Sequence, residues 1–300
     1  MSGLAERPYA RRVNDSTTSF SGAVPAEYHA GLGPLLFEPY AAELATRVPN
    51  GPGVRVLETA CGTGIATRRV LEAVPTVEIV ATDLNADMLA VARAHLVDHH
   101  ARVTFEVGDM TALSFAEASF DVVMCQFGLM FVPDKPLALR EARRVLRTGG
   151  MLLVLTWAAM DRNPVVRITH ETIVEFFPDD PPRFYETPFS LDDPGALDTL
   201  LHGEGFHDVR VEVVEKEGHA INARTAARGL IEGNPVADAI RARSPGHCRA
   251  FAMKWSAASQ RDSERQTCGC RSPRSSRPLP PDVRRRESSE RWMVTRSRVT

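Results

Sequence analysis

Residues 54–70 read VRVLETACGTGIATRRV, and this stretch decides the fold. Val54–Thr59 has the aliphatic, β-branched content of a strand, and Gly64–Val74, closed by Pro75, has the spacing of a helix. Between them stand Gly62 and Gly64, one residue apart. Two such glycines let the backbone approach a ligand closely at a helix N-terminus. A glycine-rich turn at a strand–helix junction also serves dinucleotides, so alone it fixes the architecture better than the ligand.

The alternation continues downstream. Val77–Thr82 reads as a second strand. Asn85 then caps a helix running to about Val97, with Met88, Leu89, Ala92 and Leu96 on one face. Val103–Val107 and Phe120–Cys125 are further strands, and Asp134 caps a helix over 135–147 that stops at Gly149-Gly150. Met151–Ala158 is almost continuously apolar, as a strand buried on both faces should be. Strands alternating with helices predict a mostly parallel sheet in an α/β layered fold. After Asp161 the pattern loosens into helices near 164–176 and 193–204, a strand at His207–Val214, and short helices within 224–242 and 246–258. Between the first two of these helices lies the Pro/Asp-rich loop FFPDDPPRFYETPFS, residues 176–190. Upstream, Pro34–Val48 has helical spacing and ends at Pro49-Asn50-Gly51-Pro52-Gly53.

Three carboxylates fall at successive strand ends. Glu58 stands four residues before Gly62, Asp83 ends the second strand 19 residues after Gly64, and Asp109 follows Gly108 at the end of the third. In open α/β sheets ligands bind outside the carboxyl ends of the strands, where strand order reverses, and an acidic side chain at the second strand end can accept from ribose hydroxyls. The three residues therefore converge on one crevice.

At this point the chain resembles the class I S-adenosylmethionine-dependent methyltransferases, most closely the type 11 family. The stretches that carry the likeness are VLETACGTGIATRRV, IVATDLNADMLAVA, FEVGDMTALSF, SFDVVMCQFGLMFVPD and EARRVLRTGGMLLVLTW, together spanning about residues 53–158. The resemblance implies a Rossmann-like, mostly parallel seven-stranded sheet of order 3-2-1-4-5-7-6, with an antiparallel strand 7, helices on both faces and a helical cap from about 27–48 and 161–245. It implies S-adenosylmethionine as the cofactor. Glu58, Ala60, Gly62 and Gly64 would shape the turn around its methionine part. Asp83 would hold the ribose, with Leu84 and Met88 beside the adenine; Asp109 would accept from the adenine amino group, with Met110 on the ring. Gln126 and Phe127 would border the methyl donor and the acceptor. Tyr28 and Trp157 are further acceptor-pocket candidates, and no residue is singled out as catalytic. The activity expected is methyl transfer to a small-molecule acceptor. The alternatives are a non-catalytic or damaged S-adenosylmethionine-binding protein and, on a related sheet, an NAD-dependent dehydrogenase.

Composition narrows the setting. The chain has 300 residues, 43% of them hydrophobic and 25% charged, which fits a globular domain and excludes wholesale disorder. Residues 1–22 read as a flexible leader without the apolar core of a secretory signal, and no apolar run reaches the roughly 18 residues of a membrane helix. Five scattered cysteines point to a reducing cytoplasm, with Cys61 and Cys125 as packing residues. Neither His95, His99 and His100 nor Cys268-Gly269-Cys270 has the partners of a metal site, so no metal is expected. The domain assigned to 23–256 is acidic, against a nucleic-acid partner. Residues 257–300 carry 11 Arg against 5 Asp and Glu. They read as an Arg/Ser-rich tail, either naturally disordered or the product of a frameshift, with no convincing strand 7; Trp292-Met293-Val294 is a short apolar run.

Overall fold

The computed structural model describes residues 20–244, 253–255, 257, 259 and 288–299, the last stretch as backbone alone up to residue 296. Seven strands form one sheet of order β3-β2-β1-β4-β5-β7-β6. They are β1 (Arg55–Thr59), β2 (Glu78–Asp83), β3 (Val103–Val107), β4 (Phe120–Gln126), β5 (Leu146–Trp157), β6 (His207–Gly218) and β7 (Ser288–Arg298). Strands β1 to β5 run parallel. β7 lies antiparallel between β5 and β6.

The order is what right-handed crossovers produce. From β1 the chain steps outward through α3 (Ile65–Ala73) to β2 and through α4 (Ala86–His95) to β3. It then returns to β4 on the other side of β1 and steps the opposite way through α5 (Lys135–Val145) to β5. The reversal puts the two sets of helices on opposite faces and opens a crevice at the carboxyl ends of β1 and β4. Val56, Leu57, Val122, Val123, Leu153 and Leu155 are almost fully buried, as central strands covered on both sides must be.

Local chemistry sets the boundaries. Asp134 caps α5 by accepting from the Leu137 N–H at 2.9 Å. Asp193 does the same for α7 (Pro194–Gly203) with the Gly195 and Ala196 N–H groups. α5 stops at Val145, two residues before its expected end, because Leu146 is already paired with Phe120 of β4; the register shift that follows absorbs Gly149-Gly150. The helix expected over 34–48 starts earlier. A short α1 (Val24–Glu27) runs into wide π-helical turns over Tyr28–Phe37, and only Glu38–Arg47 (α2) is α-helical. Pro34 sits inside the wide segment, where it lacks the N–H that an α-helical turn needs. The helix expected over 224–242 is divided at Gly233-Asn234-Pro235 into α8 (Ala223–Glu232) and α9 (Val236–Arg243). α6 spans Pro164–Phe176 as expected.

Residues 288–298, assigned above to a tail without a strand, form β7 and fill the slot between β5 and β6. Trp292, Met293 and Val294 stand opposite Trp157, Thr156 and Leu155. Main-chain hydrogen bonds to two open strand edges do not depend on side-chain composition, so an Arg/Ser-rich segment can supply them. Residues 261–287 of the supposed tail and residues 1–19 of the supposed leader lie outside the described residues. Phe20, inside that leader, packs against Tyr28, Phe131 and Phe184.

Candidate active site

The turn after β1 is built by backbone geometry. Ala60, Gly62 and Gly64 have φ of 52°, 56° and 78°, the left-handed region that glycine enters freely. A Cβ on Gly64 would lie 2.8 Å from Leu96 Cδ1, and one on Gly62 would meet nothing within 4 Å. Gly64 is thus required for packing against the end of α4, and Gly62 leaves open space on the crevice side. Ala60 takes the left-handed conformation despite its Cβ, as does Phe127 (φ 56°) across the crevice. Strained backbone of this kind costs about 1–3 kcal/mol per residue and concentrates where function demands it.

Asp83 locks the turn to β2. Its Oδ2 accepts from the Gly62 N–H at 2.9 Å and its Oδ1 from the Asn85 N–H at 2.8 Å. Burial raises its pKa against those hydrogen bonds. The carboxylate still borders the cavity and has capacity for further donors. Asp109 accepts from the Thr111 N–H and hydroxyl through Oδ1, leaving Oδ2 without a partner among the described residues. Gln126 donates through Nε2 to the Phe37 carbonyl at 3.3 Å, tying the end of β4 to the cap.

One cavity of about 850 Å³ holds these residues together. One half is bordered by Ala60, Gly62, Asp83, Leu84, Met88, Asp109, Met110 and Gln126, the residues expected from the sequence to hold the cofactor. Its other half includes Tyr28, Phe127 and Trp157, the three acceptor-pocket candidates. Phe127 lies 5.1 Å from Trp157 and 5.8 Å from Phe37, ring centre to ring centre, and Tyr28 stacks on Phe37 at 4.7 Å. Burial, then the Asp83 carboxylate, pushes the Tyr28 phenol well above its ordinary range.

Two expected residues do not border the cavity. Gly64 packs behind the turn against α4. Glu58 is 1% exposed and its Oε2 accepts from the Thr67 hydroxyl at 2.5 Å, so it braces the turn from below. Residues the sequence reading missed include Asn85, Leu32, Phe131, Lys135 and Phe189, whereas Phe184 and Tyr185, candidates from the cap, do line the cavity. The aromatic density of 176–190 was the available signal for Phe189.

Other titratable groups are structural. Burial pushes the Cys125 thiol up to about 11 and Cys61 well above its usual value, which makes both poor nucleophiles. His29 stacks on His95 at 3.9 Å and shares a 2.9 Å hydrogen bond with Thr63, fastening the cap to the glycine turn. Burial and His95 lower its pKa to about 4. Among the described residues no three His, Cys, Asp or Glu side chains gather as metal ligands. No helix among them is long and apolar enough to cross a membrane.

Glu58 gives a test of the turn. Burial raises its pKa from 4.5 to about 8, against the Thr67 hydrogen bond and helped by Asp83. Between those values the folded chain keeps a proton that the unfolded chain has lost. The group's contribution to stability is complete below the unfolded value and is lost as pH rises toward the folded one. The fall in Tm between about pH 5 and about pH 8 should therefore be smaller in Glu58→Gln than in the unaltered chain. Equal falls would contradict the placement of this carboxyl.

Comparison with known proteins agrees with the geometry. Residues 56–150 match a family described as a methyltransferase domain. Over 117 residues the chain is 44% identical to the ubiquinone/menaquinone biosynthesis C-methyltransferase UbiE of Hahella chejuensis, covering 38% of this chain and 47% of that protein. The corresponding protein of Ectopseudomonas mendocina is 43% identical over 124 residues, 40% of this chain and 48% of its own. The chain thus spans about half the length of the curated relatives it matches. Among solved structures, the YcgJ protein from Bacillus subtilis aligns with a TM-score of 0.53 at 16% identity, over 87% of this chain and 98% of that one. Haemonchus contortus phosphoethanolamine N-methyltransferase 2 in complex with S-adenosyl-L-methionine aligns with a TM-score of 0.56 at 18% identity, over 99% of this chain and 60% of that one. At such identities the structural likeness speaks for the fold.

Proposed function

We propose, from the premise that this chain carries a class I S-adenosylmethionine-dependent methyltransferase domain, that it transfers a methyl group to a small, apolar-bodied acceptor. The observation that supports this reading best is the single cavity, with Asp83 and Asp109 on one side and an aromatic wall on the other. The residues suit the cofactor. Asp83 has room for ribose hydroxyls beside the bonds it already accepts, and Asp109 Oδ2 is open to an amino group. The open side of Gly62 would take the methionine part against bare backbone.

When bound, S-adenosylmethionine supplies an electrophilic methyl on a positive sulfur. The protein's part is alignment and exclusion of water. Holding two reactants in line can contribute on the order of 7–11 kcal/mol. Gln126 and the Phe127–Trp157 pair stand between the two halves and would set that line.

Among the described residues the acceptor half holds no histidine, and its charged side chains are Lys135 and Glu186, the latter held by Arg183 at 2.7 Å. Tyr185 donates to the Leu230 carbonyl and is engaged. Such a wall suits an acceptor atom that is already nucleophilic, such as an ionised enol or phenol or an electron-rich carbon, over one that must be deprotonated in place. The C-methyltransferase relatives agree with a carbon acceptor. The test is a panel of ionisable aromatic and enolic compounds incubated with the full chain, read by release of S-adenosylhomocysteine. Turnover with at least one of them is expected. Cofactor binding with no turnover across the panel would favour the non-catalytic reading.

A further inference from the structure

We propose that Lys135 selects the acceptor: the far half of the cavity takes a flat apolar body that carries one anionic group, and that anion sits on the Lys135 ammonium. The proposal rests on the reading of that half as the acceptor site.

The chain has three lysines. Lys216 is paired with Glu43 and Lys254 with Glu175, each at 2.8 Å. Lys135 lines the cavity and is half-buried, yet among the described residues it has no ion-pair partner. Its one hydrogen bond, 3.0 Å, goes to the Val132 carbonyl of its own loop. An ammonium has three protons to donate, so this leaves capacity.

None of the carboxylates that adjoin it in sequence or line the cavity forms an ion pair with it among the described residues: Asp134 caps α5 through the Leu137 N–H, Glu186 is bound by Arg183, and Asp109 accepts from Thr111 through one oxygen. Burial lowers the Lys135 pKa. A cation drawn partly out of water without a counter-charge is a cost, and a ligand anion would remove it. Lys135 also opens α5, where the helix dipole adds positive potential. The same cavity is lined mostly by apolar side chains, among them Phe131, Val132, Pro133 and, from the cap, Phe184 and Phe189, with Glu186, Thr187 and Ser190 as polar members. An apolar wall with one uncompensated cation discriminates for an amphiphilic anion, as a neutral compound of the same shape would leave the ammonium unpaired.

The test uses two fluorescent probes of one shape. 1-Anilinonaphthalene-8-sulfonate has an aromatic body and one anionic group; N-phenyl-1-naphthylamine is the same body without it. Both are titrated into the full chain with S-adenosylhomocysteine present. The sulfonate should bind about tenfold or more tightly than the neutral probe, as charged hydrogen bonds of this kind imply. Lys135→Met keeps the stem and should bring the ratio near unity while leaving the neutral probe's affinity within about twofold; Lys135→Arg should keep the preference. An unchanged ratio in Lys135→Met, or equal loss for both probes, would overturn the assignment. Calorimetric binding of S-adenosylhomocysteine to the same variants is the separate readout. Its absence alongside a Lys135-dependent anion preference would count against the methyl-transfer reading and leave the Lys135 assignment standing.

Discussion

Asp83→Ala is expected to weaken S-adenosylmethionine binding by about 10–100-fold, because hydrogen bonds to a charged acceptor contribute about 1.5–3 kcal/mol. The residue has two tasks. It would accept from the ribose, and it already accepts from the Gly62 N–H, which fixes the turn against which the cofactor lies. Alanine removes both. Asparagine can still accept one backbone N–H and should fall between alanine and the unaltered chain. Dissociation constants from calorimetry on folded variants decide the matter. A folded Asp83→Ala chain with an unchanged constant would sink the ribose assignment.

Ending the chain at Glu287 is expected to abolish folding or lower Tm by about 10 °C or more. The truncation removes β7 and leaves β5 and β6 unpaired on facing edges. Each ladder hydrogen bond is worth about 0.5–1.5 kcal/mol net, and a whole domain is stable by only about 5–15 kcal/mol. Loss of two ladders in the middle of a sheet is therefore severe. It also exposes the buried run Leu152–Leu155, an aggregation hazard along an open edge. Thermal unfolding of the truncated chain measures this directly. Amide exchange on the full chain gives the companion result: residues 291–297 should be protected as β5 is. A truncated chain within about 2 °C of the full one, or unprotected amides there, would contradict the role of β7.

What the sequence made legible follows from where its patterns are strong. β1, the glycine turn and α3 carry a strand, two closely spaced glycines and a helix in one short run, and the structure places them with small shifts at the ends. Asp83 and Asp109 stood out because each lies at a strand end, and both border the cavity. Glu58 was less legible: a carboxylate at the end of a strand can face the ligand or brace the turn, and the Thr67 hydroxyl one helical turn into α3 decides for bracing.

The aromatic half of the cavity was harder to read. It is assembled from Phe20, Tyr28, Phe37, Phe127, Phe131 and Phe184, drawn from segments far apart in the chain. No spacing rule links them. Lys135 looked like an ordinary first residue of a helix, and only its lack of an ion-pair partner among the described residues sets it apart. β7 was missed because its composition argues against a packed core. The slot it fills is defined by the unpaired edges of β5 and β6, which are properties of the folded sheet.

The central claim is that the crevice at β1, β2 and β3 is an S-adenosylmethionine site. Calorimetric titration of the full chain with S-adenosylmethionine, S-adenosylhomocysteine and NAD tests it most directly. Saturable one-to-one binding of the first two and none of NAD is the predicted result. NAD binding as tight as that of S-adenosylhomocysteine, or no heat from either sulfur compound, would contradict it.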